Sequence, residues 1–172
     1  LSEKLDEKAV VVTDMGSSFT CTMQTFKTKL GQRLSTSSGH ASMGFGLPGA
    51  IGACIGNNRK DTICISGDGG LQMNIQELQT IVHYKLPIKL FVLNNNGYLT
   101  IKATQQNHFG RFVGAEQSSG VTCPDIIKVA KAYGLSTAKI VNTEELNMKI
   151  DSILETPGPI VCEVIMSENQ PL

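Results

Sequence analysis

The stretch TICISGDGGLQMN, Thr62 to Asn74, decides the architecture. An apolar run, Thr62-Ile63-Cys64-Ile65, reaches Ser66 and breaks into Gly67-Asp68-Gly69-Gly70. A short, continuously apolar run is the pattern of a parallel strand covered on both faces. Leu71, Ile75, Leu78 and Val82 then recur at intervals of four, three and four, which places them on one face of a helix. A second apolar run, Leu90 to Asn94, follows. Strand, helix and strand in that order make a parallel crossover unit.

The same alternation extends in both directions. Val10 to Thr13, Thr137 to Val141 and Ile160 to Met166 read as further strands. Ile126, Val129, Ala130 and Tyr133 outline a helix before Gly134, a C-cap position. Asn142 or Thr143 caps another, with Glu144 and Glu145 in its first turn and Pro157 at its end. Its apolar stripe is Leu146, Ile150, Ile153 and Leu154. The expected fold is α/β, a doubly wound parallel sheet with helices on both faces. No repeat, low-complexity segment or boundary divides the chain, so residues 1–172 read as a single domain. Residues 105–124 read as the longest irregular stretch, a surface loop of a length often tied to function.

The bulk numbers exclude several classes. The 172 residues are 41% hydrophobic and 17% charged, which suits one globular core. Fifteen Lys and Arg balance fifteen Asp and Glu, so no basic excess argues for nucleic acid. No apolar run approaches the ~18 residues of a membrane span, and no signal peptide is evident. Five cysteines without a CxxC read as buried thiols in a reducing cytoplasm. Three histidines without ligand spacing argue against zinc. The start at Leu1 and the ending Asn169-Gln170-Pro171-Leu172 read as a piece of a longer chain.

In open α/β sheets, ligands bind beyond the carboxyl ends of the strands. Three glycine-bearing polar stretches stand there: Asp14-Met15-Gly16-Ser17-Ser18, Gly67 to Gly70, and Asn94-Asn95-Asn96-Gly97-Tyr98. Gly69 and Gly70 let backbone approach a ligand, and a helix start near Leu71 aims free N–H groups at it, a site suited to phosphate. Asp68 is at odds with phosphate unless a cation lies between them. Asn95 adds an amide oxygen and Gly97 a carbonyl, and such hard donors suit Mg²⁺. Alone, Gly-Asp-Gly or Asn-Gly marks a turn as readily as a ligand site. No GxxxxGK[ST] occurs, and the dinucleotide GxGxxG fails because Gln72 stands where the third glycine belongs. The weight lies in the pair: Asn95 follows Asp68 by 27 positions, one strand-helix-strand unit.

GDGGLQMNIQELQTIVHYKLPIKLFVLNN resembles the thiamine diphosphate-binding motif, GDG and then NN. Upstream, SSGHASMGFGLPGAIGA, Ser37 to Ala53, is similar to the stretch preceding that motif in acetolactate synthases and related 2-oxoacid decarboxylating enzymes. The resemblance implies a diphosphate-binding (PP) domain, the C-terminal third of such an enzyme. It implies that Asp68, Asn95 and the Gly97 carbonyl hold Mg²⁺, and that Gly16, Ser17, Ser18, Gly69 and Gly70 contact the diphosphate. It implies that Met43 props the cofactor, that the Ala41 carbonyl accepts from the aminopyrimidine, and that Tyr98 follows the metal loop as in several relatives. Other readings stay open: Met43 as a core methionine, Ser17 or Ser18 as a helix N-cap, and Gly44, Gly46, Gly49, Gly52 and Gly56 as packing glycines of a buried helix. His40, beside Ala41, is a candidate proton donor or substrate contact, or else a surface histidine. His83 and His108 read as surface.

By resemblance, the cofactor takes up the electrons when a 2-oxoacid loses CO₂, and the remaining carbons are protonated or joined to a second carbonyl. A glutamate on a separate pyrimidine-binding (PYR) domain, in cis or on a partner chain, activates it. Nothing here matches that glutamate, and Glu77 reads as structural. Simple pyruvate decarboxylases carry an acidic residue where Ile101 stands. Acetolactate synthases of amino-acid biosynthesis carry a tryptophan where Thr104 stands, so the second substrate stays open, as does a flavin. A homo-oligomer, dimer or tetramer, follows from the resemblance alone. Two alternatives compete: a natural small subunit of a split enzyme such as sulfopyruvate decarboxylase, and a non-catalytic nucleotide-binding module.

Overall fold

A computed structural model describes residues 1–170. The last two residues of the expected 1–172 domain, Pro171 and Leu172, lie outside the described residues. The strands are β1 (Val10–Thr13), β2 (Arg33–Ser35), β3 (Thr62–Gly67), β4 (Ile88–Asn94), β5 (Ser136–Ile140) and β6 (Ile160–Ile165). They form one six-stranded sheet in the order β2-β1-β3-β4-β6-β5, with every pairing parallel. The helices are α1 (Ser17–Thr25), α2 (Gly46–Gly56), α3 (Asp68–Gln72), α4 (Glu77–Tyr84), α5 (Leu99–Phe109), α6 (Ile126–Ala132) and α7 (Thr143–Glu155).

Successive strand residues point to opposite faces, so each strand feeds two cores. Val12, Cys64, Leu90, Val92 and Val161 meet α2, α3, α4 and α6 through Leu47, Leu71, Leu78 and Ile126. Val11, Ile63, Ile65, Phe91 and Cys162 meet Ile150 and Ile153 of α7 on the other face, with Phe26 at the end of α1. This is the doubly wound arrangement that continuously apolar strands require. Each fully buried Leu or Ile contributes about 1.5–3 kcal/mol. Asn142 caps α7, its Oδ1 accepting from the Glu145 N–H at 2.9 Å. Among the described residues no helix is long and apolar enough to cross a membrane.

Three expectations are corrected. The sheet has a sixth strand, β2, an edge strand of three half-exposed or exposed residues with no apolar run to announce it. The expected helix from Leu71 to Val82 is broken into α3 and α4, and α3 begins at Asp68 rather than near Leu71. Around the break the bonds run i to i+3, as in Met73 N–H to Gly70 O and Leu78 N–H to Ile75 O. The tighter turn keeps Leu71 and Leu78 on the core side while the chain passes Gly44, whose carbonyl accepts from Asn74 Nδ2 at 2.8 Å. Third, residues 105–109 belong to α5 and Gln117–Ser119 forms a 3-10 turn, so the irregular stretch is shorter than 105–124. His108 accordingly ends a helix rather than sitting in a loop.

Candidate functional site

All strands run one way, so their carboxyl ends share one rim. From β1 the chain goes to β2 on one side and then to β3 on the other, so its course reverses between β1 and β3. Such a reversal leaves a crevice where the two following loops part. A cleft of about 320 Å³ opens there, lined by Gly16, Ser17, Ala41, Met43, Gly69 and Tyr98 among others.

Asp68 begins α3 and is 1% exposed. Its Oδ1 accepts from the Gly69 N–H at 2.9 Å and its Oδ2 from the Gly97 N–H at 3.0 Å. One carboxylate thus ties the β3 loop to the β4 loop. Burial holds this carboxyl above the usual aspartate range, and the bonds from Gly69 and Gly97 oppose that rise. Asn95 is 4% exposed and donates through Nδ2 to Ser17 Oγ at 3.1 Å. Its Oδ1 is buried with no hydrogen-bond partner. A buried oxygen left that way costs about 1–3 kcal/mol, which an electropositive ligand removes. Among the described residues no cluster of three His, Cys, Asp or Glu side chains suits a metal. Asp68, the Asn95 amide oxygen and the Gly97 carbonyl are hard oxygen donors, a set that would suit Mg²⁺.

Gly97 has φ +146°, pairs with Glu116 as an isolated bridge, and would place a Cβ 2.6 Å from the Ala115 carbonyl oxygen. The next residue donates from its backbone to the same carbonyl, Tyr98 N–H to Ala115 O at 2.8 Å. The Asn95–Gly97 loop is therefore braced by the segment after α5. The Tyr98 ring lies over Gly69, where an added Cβ would come within 2.2 Å of Cε1. Burial, then Cys123 and Asp68, raise the Tyr98 phenol above its ordinary value. Burial, then the Asp68 charge, push the Cys123 thiol up to about 11.

The remaining expected residues fall as follows. Gly16, with φ +75°, is the N-cap of α1 and makes no side-chain cap bond. The N-cap reading of Ser17 and Ser18 is thereby corrected: both are inside the helix and buried. Ser18 Oγ donates inward to Met15 O at 2.9 Å, whereas Ser17 lines the cleft. Met43 also lines the cleft and is 37% exposed, which corrects the core-methionine alternative. Ala41 has φ +52°, a strained value for a residue with a Cβ, and faces the same cleft. His40 is exposed and stands outside the cleft lining. Gly44 precedes α2 rather than packing it, and no atom lies within 4 Å of a Cβ built at Gly52 or Gly56, so those three depart from the packing reading. Glu77 accepts from Thr80 Oγ1 at 2.8 Å within α4, a local role.

Asp14 is the residue that sequence reasoning passed over. It is fully buried, and its carboxylate accepts from the N–H groups of Met15 at 2.8 Å and Gly44 at 2.9 Å, and from Ser66 Oγ at 2.9 Å. It joins the Gly16 turn, the loop carrying Met43, and β3. Gly70 leaves it room: a Cβ there would lie 2.7 Å from Asp14 Oδ2. The usable signal was a charge directly after the Val-Val-Val-Thr run. Asp14→Ala takes the acceptor from the buried Gly44 N–H and Ser66 hydroxyl and the half-buried Met15 N–H, and is expected to destabilise the domain by about 2–4 kcal/mol. Asp14→Asn should recover most of that, because one amide oxygen can still serve both N–H groups. Urea unfolding of the two variants checks this, and equal losses would contradict it.

Over residues 14–164 the chain matches the family described as thiamine pyrophosphate enzyme, C-terminal TPP binding domain. It is 39% identical over 169 residues to the acetolactate synthase large subunit of Cyanidium caldarium, covering 96% of this chain and 28% of that protein. It is 35% identical over 170 residues to the acetolactate synthase large subunit of Pyropia yezoensis, covering 98% and 28%. With acetolactate synthase 2, chloroplastic, of Brassica napus it shares 34% over 171 residues, covering 96% and 27%. The chain thus spans little more than a quarter of the length of these relatives. With a site built from the loops of β1, β3 and β4 and a family match over nearly its whole length, the chain belongs to the thiamine pyrophosphate enzymes, as their C-terminal TPP-binding domain.

Proposed function

We propose that this domain anchors thiamine diphosphate through Mg²⁺ held by Asp68, Asn95 and the Gly97 carbonyl. The observation that carries the reading is the unpaired, buried Asn95 Oδ1 in the loop that Asp68 grips. Gly16, Ser17, Gly69 and Gly70 face the diphosphate, and the backbone of Ser18 joins them at the start of α1. Met43 and Tyr98 flank the cofactor, and the Ala41 carbonyl takes a hydrogen bond from its amine. Bound there, the cofactor supplies an electron sink for decarboxylation of a 2-oxoacid. Gly16, Ser17, Gly69, Gly70, Met43 and Tyr98, which line the cleft, would hold and orient it.

The parent protein, on this reading, is an acetolactate synthase-like enzyme that joins the decarboxylated fragment to a second carbonyl. Ile101 lines the cleft where pyruvate decarboxylases would carry an acid, which favours the carboligase branch. Thr104 is exposed on α5 and donates to Thr100 O at 3.0 Å, so it leaves the second substrate open. A pyrimidine-binding domain, in cis or on a partner subunit, supplies the activating glutamate. Met43 and Ile101, both partly exposed at the cleft, support such a cover, and with it a homo-oligomer. His40 keeps a role only if that cover brings substrate to it. All five cysteines are free, which supports a reducing compartment such as the cytoplasm.

Calorimetric titration with thiamine diphosphate tests the core of this. Binding is expected only with Mg²⁺ present, and saturation at 100 times Kd should stabilise the fold by about 2.7 kcal/mol. Stabilisation by NAD or ATP, with none from thiamine diphosphate and Mg²⁺, would replace this reading with the nucleotide-binding module.

A further inference from the structure

Glu163 lies in the middle of β6, in register between Val92 of β4 and Lys139 of β5. Its side chain is 5% exposed, yet it carries a charge. Its Oε1 accepts from Asn94 Nδ2 at 2.7 Å, and its Oε2 pairs with Lys139 Nζ at 2.8 Å. Asn94 is the last residue of β4, next to Asn95. With Nδ2 held by a carboxylate, Asn94 Oδ1 must face the other way, and there it accepts from the Asn96 N–H at 3.0 Å. Asn96 has φ +61°, a left-handed turn conformation that asparagine adopts more readily than most residues with a Cβ, and its Nδ2 donates to Glu168 Oε1 at 3.0 Å. Gly97, one residue on, delivers its N–H to Asp68. The chain of contacts therefore runs Lys139, Glu163, Asn94, Asn96, Gly97, Asp68, and Asn95 sits inside it.

Fold stability does not account for the charge. Burying a carboxylate costs several kcal/mol before pairing, and replacing a buried pair by well-packed apolar groups is often neutral or stabilising. Lys139 is itself half exposed, which weakens what the pair returns. A carboxylate does one thing that an alkyl group cannot: it fixes which end of the Asn94 amide faces the loop.

We propose that Glu163 is a positioning residue for the cation loop, setting through Asn94 the direction in which Asn95 Oδ1 and the Gly97 backbone are presented to Mg²⁺. This rests on the proposed cofactor site. Mg²⁺ demands a near-ideal octahedron, whereas Ca²⁺ accepts irregular shells, so a loosened loop should penalise the smaller ion. Partners that orient a ligand are worth about 10–100-fold in metal affinity.

The test measures Mg²⁺ and Ca²⁺ affinity by calorimetry at saturating thiamine diphosphate in the intact protein, with metal-free thermal unfolding alongside. Glu163→Met is expected to unfold within a few degrees of the parent but to bind Mg²⁺ at least tenfold more weakly, with Ca²⁺ changed less than about threefold. Glu163→Gln, whose amide oxygen still accepts from Asn94, should stay within about threefold for both ions. Unchanged Mg²⁺ affinity in Glu163→Met, or equal losses for both ions, would overturn the proposal. If Glu163→Met does not fold, an exchange decides. Asn94→Asp sets two carboxylates against each other and should weaken Mg²⁺ binding, and Asn94→Asp with Glu163→Gln should restore it. Failure of that rescue also overturns the proposal. A parent protein that binds neither ion with the cofactor overturns the underlying site instead.

Discussion

Asp68→Ala is expected to abolish Mg²⁺-dependent binding of thiamine diphosphate at ordinary concentrations. Three losses coincide. The site loses its one charged donor, the Gly69 N–H loses its acceptor, and the Gly97 N–H loses the contact that ties the two loops. Removing one partner of a buried charged pair costs about 3–5 kcal/mol, which corresponds to a loss of roughly 10²–10⁴-fold in affinity. Calorimetry on the two proteins decides it, and equal affinities would refute the metal assignment. The pH dependence follows from the same group. A proton competes with Mg²⁺ for Asp68, and burial holds that carboxyl above its ordinary value of 3.8. Mg²⁺ affinity should therefore begin to fall at a pH above 3.8 and drop about tenfold per unit below the raised pKa. The folding contribution has the opposite sign. For the metal-free domain, a carboxyl whose folded pKa is raised contributes stability that is fully present below 3.8 and lost as pH rises through the folded value.

Gly97→Ala should destabilise the domain strongly. Its Cβ would meet the Ala115 carbonyl oxygen at 2.6 Å and Glu116 Cα at 3.3 Å, both backbone, at φ +146°. Neither neighbour can rotate away. The loop must part from residues 115–116 and lose the Tyr98 N–H to Ala115 O bond. Backbone strain adds about 1–3 kcal/mol, so a total near 2–4 kcal/mol and a fall of roughly 5–15 °C in Tm are expected. Gly110→Ala is the control, since its φ is also positive at +62° but a Cβ there has no neighbour within 4 Å. A Gly97→Ala Tm no lower than that of Gly110→Ala would show that the brace does not matter.

How much was legible follows from where each residue's partners lie. β1, β3, β4 and β6 announce themselves because a parallel strand covered on both faces must be apolar throughout. β2 does not, because an edge strand of three residues buries no continuous face. α5 was missed for a related reason: of Leu99–Phe109 only Leu99 is buried, so no stripe marks it. The break between α3 and α4 left the apolar period intact, and the contact made there, Asn74 Nδ2 to Gly44 O, is with a residue far away in sequence. The Asp68–Asn95–Gly97 grouping was readable because fixed strand spacing brings adjacent strand ends together. Asp14 and Glu163 were not, because their partners, Gly44, Ser66, Asn94 and Lys139, converge only once the sheet is assembled.

The place of β6 has a consequence for how the domain is made. It follows β5 along the sequence as the last of the described strands, yet it sits between β4 and β5. Until Ile160–Ile165 emerges from the ribosome, β5 has no neighbour to zip onto and β4 keeps an open edge, the kind of surface that recruits strands from other chains. Glu163 and Met166, which grip Asn94, arrive in the same late segment. The sheet's high contact order therefore also delays the proposed cofactor site: a nascent chain can build the Gly16 and Gly69–Gly70 turns early, but the Asn94–Gly97 loop gains its grip on β6 only when that strand is in place.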